Sequence, residues 1–486
     1  MNTALLVLLA YLLFLAIVAV WSRHETKTLS GFFLGGKKLP YWVVAFSTNA
    51  TGESGWLLLG LTGMGYAVGA QAYWVVIGEV IGVALSWTLI SRKLKRLSDA
   101  TDSITLPDVL AARFNDRQHI LRSIAVVIIL TMVCAYVSAQ LVACGKALGT
   151  FIDIDYPTAV VFGAVIIIAY TFIGGYKAVA YTDVLQGGLM LVGLITMPLV
   201  AIHAGGGLQN VTDNLVAQDP ALLSMWSITN NGTAGWIALF SFMAIGLPFL
   251  GAPQLLVRFM SARAGGRELT KARNMSVIII LLYDAGAVTA GMAGRALFPG
   301  LDDAETIFPV LATELFPPVL TGVMMVVVLA AIMSTVDSLL ILASSAVVRD
   351  TMQKILGSTR SDQQLAGYGK VVTILIGAIA IAFALEEVKF IFWFVLFAWS
   401  GLGAAFGPVI LCTLYDKKVN LAGVAAGMLG GFLTSVGWVM LFKSQTYDLY
   451  EMIPGFIVGL TLTIIFSRLG RSGSDHDYWR RQMQHE

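Results

Sequence analysis

The stretch from Ser47 to Gly55 reads STNATGESG and lies between two apolar segments. These small or polar residues fall in the middle of range 41–66, which is otherwise apolar and long enough to cross a bilayer as a helix. A helix in hydrocarbon must satisfy its own backbone groups, so such an interruption is tolerated only against protein or a watery cavity. We predict that the helix is broken here and that its freed oxygens line a site.

The rest of the chain consists of apolar segments of about 20 residues, the length that crosses ~30 Å of hydrocarbon as a helix. Of its 486 residues, 57% are hydrophobic and 12% are charged, whereas about 25% of a soluble domain is charged. Composition therefore excludes a soluble globule and predicts an all-α membrane protein. We predict thirteen transmembrane helices, at 3–21, 41–66, 72–91, 122–149, 157–175, 181–204, 234–256, 274–297, 317–347, 366–385, 388–414, 419–442 and 450–468.

The basic residues are concentrated on one side of this arrangement. Because positive charge collects on the cytoplasmic side, we expect the N-terminus outside and the C-terminus inside. We predict one transmembrane domain, 1–470, in the inner (plasma) membrane, and a cytoplasmic tail, 471–486. We expect the lipid bilayer as a partner and do not expect nucleic acid. The sequence does not indicate an oligomeric state. With this orientation, four of the 31 lysines and arginines fall on the outer side: Lys146, Arg295, Lys389 and Lys443.

A second interruption reads GLPFLGAP at residues 246–253, within the seventh span. It lies five spans after the first, so the two interrupted helices have opposite orientations. Such a pair is typical of an inverted-repeat transporter whose site lies at the midplane of the membrane. The alternative is two ordinary kinked helices, but burying the polar residues of the first interruption is costly unless they are used.

We single out five acidic residues within the predicted spans, since an acid costs about 2.5–3.5 kcal/mol at a helix centre. Asp337 shares its span with Ser334, Thr335 and Ser338. These hydroxyls can bond back to their own helix, or they can complete an oxygen cage for a hard cation with carbonyls freed at the first interruption. Asp183 is either a helix N-cap or an ion ligand. The other three acids are Glu53, Glu79 and Asp284.

Four segments, in order along the chain, resemble the solute:sodium symporter family. They read SGWLLLG at 54–60, YTFIGGYKAVAYTD at 170–183, GAP at 251–253 followed by RFM at 258–260, and MST at 333–335. The third is similar to the sodium/proline symporter branch of that family. The resemblance implies sodium-coupled symport of a small organic solute. It also implies a LeuT-like core of about 41–414, built as a five-plus-five inverted repeat with one helix before it and two after it.

The resemblance implies site residues as well. The main sodium site would use the carbonyls of Ala50, Glu53 and Ala331 and the hydroxyls of Ser334 and Thr335. A second sodium site, present in some members, would correspond to Asp183, Asp337 and Ser338, so one or two Na⁺ ions are expected. The solute would bind between the two interruptions, at Thr51, Gly52, Glu53, Ser54, Gly55, Trp56, Tyr136, Gln140, Ile245 and Phe249.

Four positions depart from the pattern of proline carriers. Those proteins, which this chain otherwise resembles, have an acid where this chain has Gly52 and an apolar residue where it has Glu53. They have Trp where this chain has Ile245 and Tyr where it has Phe249. Moving the acid by one residue turns its side chain by roughly 100° on a helix. These changes argue against proline and leave an amino acid or related zwitterion or carboxylate as the expected solute. The Glu53 carboxylate can pair with a substrate ammonium, carry a proton or contact sodium.

Two other functions fit single features of the sequence. A proton-coupled solute carrier would use Glu53 or Asp284 as its relay. An intramembrane serine protease would use the GESG motif at 52–55, but a serine nucleophile needs a base. An enzyme is therefore not expected, because all five histidines lie at the ends of spans or in loops: His24, His119, His203, His476 and His485.

Overall fold

The structure is a computed structural model and describes residues 3–21, 28–171, 175–263, 265–386 and 391–469. Within these residues the chain is helical, and the one β-bridge joins Leu39 and Ala262. An all-α protein was predicted from the apolar segments, and the described residues confirm it. The predicted tail, 471–486, lies outside the described residues, as does Lys389.

Twenty α-helices are described. The first ten are α1 Thr3–Trp21, α2 Leu29–Leu34, α3 Tyr41–Gly55, α4 Thr62–Val68, α5 Tyr73–Leu85, α6 Arg92–Ala100, α7 Leu106–Arg113, α8 Ile120–Ile152, α9 Tyr156–Thr171 and α10 Tyr176–Ala204. The others are α11 Leu208–Gln218, α12 Thr233–Ala244, α13 Pro253–Ser261, α14 Gly266–Leu297, α15 Ile307–Leu315, α16 Pro318–Ser345, α17 Asp362–Ala384, α18 Ile391–Tyr415, α19 Leu421–Leu441 and α20 Met452–Leu469. Wider π-helical turns extend three of these helices, over Trp56–Leu61, Ser86–Ser91 and Ala346–Ile355.

Ten helical segments in the described part are long and apolar enough to cross a membrane, and two shorter apolar segments lie in α1 and α9. One of the ten, Tyr41–Ala100, runs through both the second and the third predicted span. The seventh predicted span is divided between α12 and α13. The chain is thus a multi-pass membrane protein, while the count of thirteen crossings and the orientation of the termini stay predictions.

The interior is formed by α3, α8, α10, α14 and α16, which pack against one another. Helix α1 packs along α16, and its Tyr11 hydroxyl accepts a hydrogen bond of 3.0 Å from the Gln186 amide of α10. Helices α19 and α20 pack as a pair beside α18. The two interrupted segments therefore lie within the bundle.

Ion pairs between buried side chains tie the short helix α7 to its neighbours. The Asp108 carboxylate accepts from Arg122 of α8 at 2.7 Å and from Arg349 at 2.9 Å. Arg122 also pairs with Asp350, which accepts from the Thr105 hydroxyl at 3.0 Å. Burial raises the pKa of Asp108, but the two guanidinium groups outweigh burial and hold this pKa below its usual range. Asp108 is therefore charged at cellular pH, and the network can fix α7 against α8 and the end of α16.

Neighbouring helices approach closely where the second interruption lies. A Cβ atom on Gly251 would come within 2.2 Å of the backbone nitrogen of Gly407 in α18. A Cβ atom on Gly246 would come within 2.0 Å of the Gly78 carbonyl oxygen in α5. Both distances are shorter than any van der Waals contact, so glycine lets the backbones of α5 and α18 pack directly against the interruption.

Candidate functional site

Helix α3 breaks at Ser54. Its backbone angles are φ 57° and ψ −171°, a conformation that costs a non-glycine residue of order 1–3 kcal/mol and persists only where the surroundings fix it. Gln140 of α8 supplies this support. Its side-chain oxygen accepts from the Gly55 N–H at 2.9 Å, and its amide donates to the Ser54 hydroxyl at 3.3 Å. Three predicted solute-site residues therefore meet at the break.

The second interruption separates α12 from α13 by a short 3₁₀ turn, Leu247–Leu250. Side chains from other helices bond to carbonyls near this turn. The Trp399 indole donates to the Ile245 carbonyl at 3.2 Å, and the Ser86 hydroxyl donates to the Phe249 carbonyl at 2.7 Å. The Phe249 ring faces the first interruption, since a Cβ atom on Gly52 would lie 3.0 Å from it. The structure thus brings both interruptions together.

The residues of the predicted main sodium site are buried together between α3 and α16. The Ser334 hydroxyl lies 2.8 Å from the Ala50 carbonyl oxygen and 3.0 Å from that of Ala331. The Thr335 hydroxyl instead bonds to the Thr51 carbonyl at 3.0 Å, and the Glu53 carbonyl accepts the N–H of the residue that follows the break, Trp56. An all-oxygen set drawn from two helices suits a hard cation such as Na⁺.

The residues of the predicted second sodium site surround a guanidinium group. Arg258 of α13, with 2% of its side chain exposed, pairs with Asp183 at 3.1 Å and donates to Ser338 at 2.5 Å. It also donates to the hydroxyls of Ser47, at 2.9 Å, and Thr51, at 2.6 Å. In this arrangement Asp183 and Ser338 hold a cation that the protein itself supplies. A sodium ion would reach these two oxygens only after Arg258 moved.

Two features of this cluster differ from the sequence-based expectations. Asp183 is the eighth residue of α10, whose N-cap is Gly175, so the N-cap interpretation of Asp183 is wrong. The Thr51 hydroxyl points toward Arg258 and Ser338, rather than toward the other predicted solute residues. Asp337, in contrast, keeps one carboxylate oxygen buried without a hydrogen-bond partner in the described part of the chain.

A narrow cavity lies beside the first interruption. Trp399 forms its aromatic wall, with edge-to-face contacts to Phe249 at 5.2 Å and Tyr136 at 6.2 Å between ring centroids. The sequence analysis did not identify Trp399 as a site residue, because nothing in its local sequence distinguishes it. It identified Glu79 as an intramembrane acid but not as a residue of this cavity. The residues that line the cavity are Gly52, Trp56, Glu79, Tyr136, Val395, Leu396 and Trp399.

The start of α18 packs against Trp56, which lines the cavity. The Phe392 ring stacks on Trp56 with 5.4 Å between ring centroids. The Glu305 carboxylate accepts from the backbone N–H groups of Ile391 and Phe392, at 2.9 and 2.8 Å, and pairs with Lys146 at 2.9 Å. A carboxylate at the N-terminus of a helix is electrostatically favourable. Glu305 therefore fixes the residue that covers Trp56.

Two interrupted helices that meet inside a bundle, with a polar break and an aromatic-lined cavity beside it, define a membrane transporter. The model of the sodium:solute symporter family matches residues 32–431. The chain belongs to this family.

Two named relatives support the assignment. The chain is 34% identical to a sodium/proline symporter of Staphylococcus aureus over 472 residues, 94% of this chain and 91% of the relative. It is also 34% identical to the high-affinity proline transporter PutP of Bacillus subtilis (strain 168), over 94% of this chain and 96% of that protein. The predicted family, with its nearness to the proline branch, is confirmed.

Solved structures share the fold. A Na⁺-coupled sialic acid symporter in a substrate-bound, outward-open state superposes with a TM-score of 0.81, at 18% identity, over 97% of this chain and 99% of that one. The nucleobase-cation-symport-1 family transporter Mhp1 gives a TM-score of 0.55 at 11% identity, over 93% of this chain and 98% of that one. These likenesses support the LeuT-like arrangement of helices that the sequence predicted.

Proposed function

We propose that this protein imports a small organic solute together with Na⁺ by alternating access. Membership of the sodium:solute symporter family supports sodium-coupled import as the general function. The observation that carries the proposal is the Ser334 hydroxyl between the carbonyl oxygens of Ala50 and Ala331, because it links the broken helix α3 to α16 through oxygen atoms alone. An ion bound there would hold the two helices in one relative position.

In this mechanism Na⁺ binds among the oxygens of Ala50, Glu53, Ala331, Ser334 and Thr335 and thereby stabilises the interrupted part of α3. The ordered break then completes the wall of the solute cavity, since Gln140 joins the same segment from the other side. Each sodium ion that enters the cell releases about 2.3 kcal/mol per 100 mV of membrane potential. That energy drives accumulation of the solute. We place the N-terminus outside, the C-terminus inside and thirteen crossings in the plasma membrane.

The number of sodium ions depends on Arg258. Its guanidinium bonds to Asp183 and Ser338, two of the three residues of the predicted second sodium site. We therefore propose one sodium ion for the conformation described here. A second ion would use Asp183, Asp337 and Ser338 in a conformation from which Arg258 has withdrawn.

The solute is proposed to be an amino acid or a related zwitterion or carboxylate, held by Ser54, Gly55, Trp56, Tyr136 and Phe249. The cavity beside the break is narrow in this conformation and would have to widen to take a solute, and its aromatic walls suit an apolar side chain or a ring. Partial positive charge at the start of a half-helix favours a carboxylate. The relatives are named for proline, but Gly52, Glu53, Ile245 and Phe249 differ from proline carriers, so proline is not our proposal.

Uptake into proteoliposomes tests sodium coupling. With a sodium gradient at fixed pH, the wild type should accumulate solute, and the Ser334→Ala/Thr335→Ala variant should lose this uptake. Thr373→Ala is the matched control, because among the described residues this buried hydroxyl in α17 bonds to the Gly369 carbonyl of its own helix, at 3.1 Å, and to no other group. Undiminished uptake in the double variant would refute the proposed sodium site.

The solute is identified with the purified protein. Amino acids, betaines and small carboxylates are added singly, with and without sodium, and the melting temperature is measured. A ligand that binds the folded state raises this temperature. The transported solute should raise it more in sodium than in a matched concentration of potassium. A panel that gives equal shifts in both salts would contradict coupling.

A proton-coupled carrier is the second candidate, because Glu53, Asp284 and Glu79 are buried side by side. In that case a proton gradient without sodium would drive uptake, and the Ser334→Ala/Thr335→Ala variant would still transport. Uptake that needs sodium at a fixed pH on both sides excludes this candidate.

A further inference from the structure

Three carboxylates from three helices meet in the interior. Glu53 lies on α3, Glu79 on α5 and Asp284 on α14, and one ligand oxygen from each lies within 4.8 Å of the other two. Glu53 and Asp284 are fully buried, and Glu79 is 3% exposed. We call this group the carboxylate triad. Its members are 26 or more residues apart in sequence, so the fold brings them together.

Among the described residues, five of the six triad oxygens have no hydrogen-bond donor from outside the triad. They are both oxygens of Glu53, both of Asp284 and Oε2 of Glu79, and all five are buried. Buried polar groups are almost always hydrogen-bonded, and buried charges are paired or coordinate metal ions. Two other buried acids of the predicted spans each have a cation beside them: Asp183 has Arg258 at 3.1 Å, and Glu451 has Lys443 at 2.8 Å. The triad therefore stands apart as a set of oxygen ligands that point at one another.

Negative charge at the triad has to be balanced. Like charges at this separation repel strongly in a low-dielectric interior, so the three carboxylates either take up protons or bind a cation that replaces those protons. The chemistry of the ligands then decides what the cation is. Carboxylate oxygens alone, without sulfur or imidazole, are preferred by hard metal ions such as Na⁺, Mg²⁺, Ca²⁺ and Mn²⁺.

We propose that Glu53, Glu79 and Asp284 form a binding site for a hard metal cation, separate from the site at Ser334. A divalent ion balances the triad better than Na⁺, because it leaves one net negative charge rather than two. The bound ion would tie α3 to α5 and α14, whereas the Ser334 site ties α3 to α16. Glu79 also lines the solute cavity, so the ion would lie behind one wall of that cavity. The inference does not depend on which solute is carried.

The cation is detected directly on the full-length protein in detergent. Mn²⁺ is titrated into the protein, and the free ion is measured from its electron paramagnetic resonance signal. We expect one Mn²⁺ per chain in the wild type and its displacement by Ca²⁺ or Mg²⁺. Glu79→Gln and Asp284→Asn, which keep the size of the side chains, should each weaken Mn²⁺ binding at least tenfold.

Glu451→Gln is the matched control, because it removes a buried carboxylate that pairs with Lys443 at 2.8 Å instead of lying in the triad, and it should leave Mn²⁺ binding unchanged. A second arm measures the melting temperature on a Ser334→Ala/Thr335→Ala background, where the main sodium site is disabled. If Na⁺ raises the melting temperature in this background and Asp284→Asn abolishes the increase, the triad is a cation site and its ion is monovalent.

Failure of the wild type to respond to any of these cations would overturn the proposal, even if a triad variant does not fold. Mn²⁺ binding that Glu79→Gln and Asp284→Asn leave intact would overturn it as well. Neither result bears on sodium-coupled uptake, which is measured separately with the Ser334 and Thr335 variants.

Discussion

The Arg258 guanidinium lies 3.1 Å from the Asp183 carboxylate, and both side chains are almost completely buried. These residues belong to α13 and α10, which both pack against α3, and Arg258 also bonds to the Ser47 carbonyl of α3 at 3.1 Å. A charge of the protein itself thus links both interrupted helices to the position predicted for a second sodium ion. The first prediction tests this link.

Replacing Arg258 by Gln should destabilise the protein by about 3–5 kcal/mol, because Asp183 is left as an uncompensated buried charge. Asp183→Asn in the same chain removes that charge and should restore part of the loss. The measurement is a double-mutant cycle of unfolding free energies in detergent. If the two losses simply add, the residues are not coupled and the ion pair is absent from the dominant conformation.

Gln140 supports the break in α3, so its loss should weaken solute binding. Gln140→Ala leaves the Gly55 N–H without its acceptor, at a cost of about 1–3 kcal/mol, which corresponds to roughly tenfold or more in the half-saturating solute concentration. The assay is sodium-driven uptake of the solute found in the ligand panel. Gln186→Ala is the control, because its bond to Tyr11 lies between α10 and α1. An unchanged concentration dependence in Gln140→Ala would contradict the role of Gln140.

Much of this site can be predicted from the sequence, because it depends on the residue types within each segment. Polar residues at 47–55 predict the first break, and Gly and Pro at 246–253 predict the second. The family resemblance then pairs Ala50 with Ser334, and the structure brings the two within hydrogen-bond distance.

Contacts between distant helices are harder to predict, because they depend on how each helix is rotated. Thr51 is adjacent to Gly52 in sequence, but its hydroxyl faces Arg258, whereas Gly52 faces Phe249. The π-helical turn Trp56–Leu61 adds to the difficulty, since it shifts the side chains that follow it relative to an ordinary helical repeat. For the same reason the grouping of Glu53, Glu79 and Asp284 is not apparent from their spacing.

Gly251 should not tolerate a side chain. Gly251→Ala places a Cβ atom 2.2 Å from the Gly407 backbone nitrogen, so α18 must move away from the second interruption. We expect a loss of more than about 3 kcal/mol in stability, or no folded protein, since overpacking by rigid backbone cannot relax cheaply. The matched control is Gly188→Ala in α10, where the added methyl group meets no atom within 4 Å and should be neutral or stabilising. Equal melting temperatures for the two variants would rule out this packing.

The buried network at α7 should matter far more for stability than an exposed ion pair of similar geometry. Arg122→Met leaves Asp350 and one oxygen of Asp108 unpaired inside the protein, so we expect a loss of about 3–5 kcal/mol. Arg468→Met breaks a pair with Asp416 at 2.7 Å whose side chains are 41% and 24% exposed, and it should cost only about 0–1 kcal/mol. Both values come from denaturant unfolding in detergent, at low and high salt. Only the Arg468 contribution should shrink with salt, because ions in solution screen an exposed pair much more than a buried one. A salt-sensitive loss in Arg122→Met would mean that water reaches the network and that α7 is not fixed against α8.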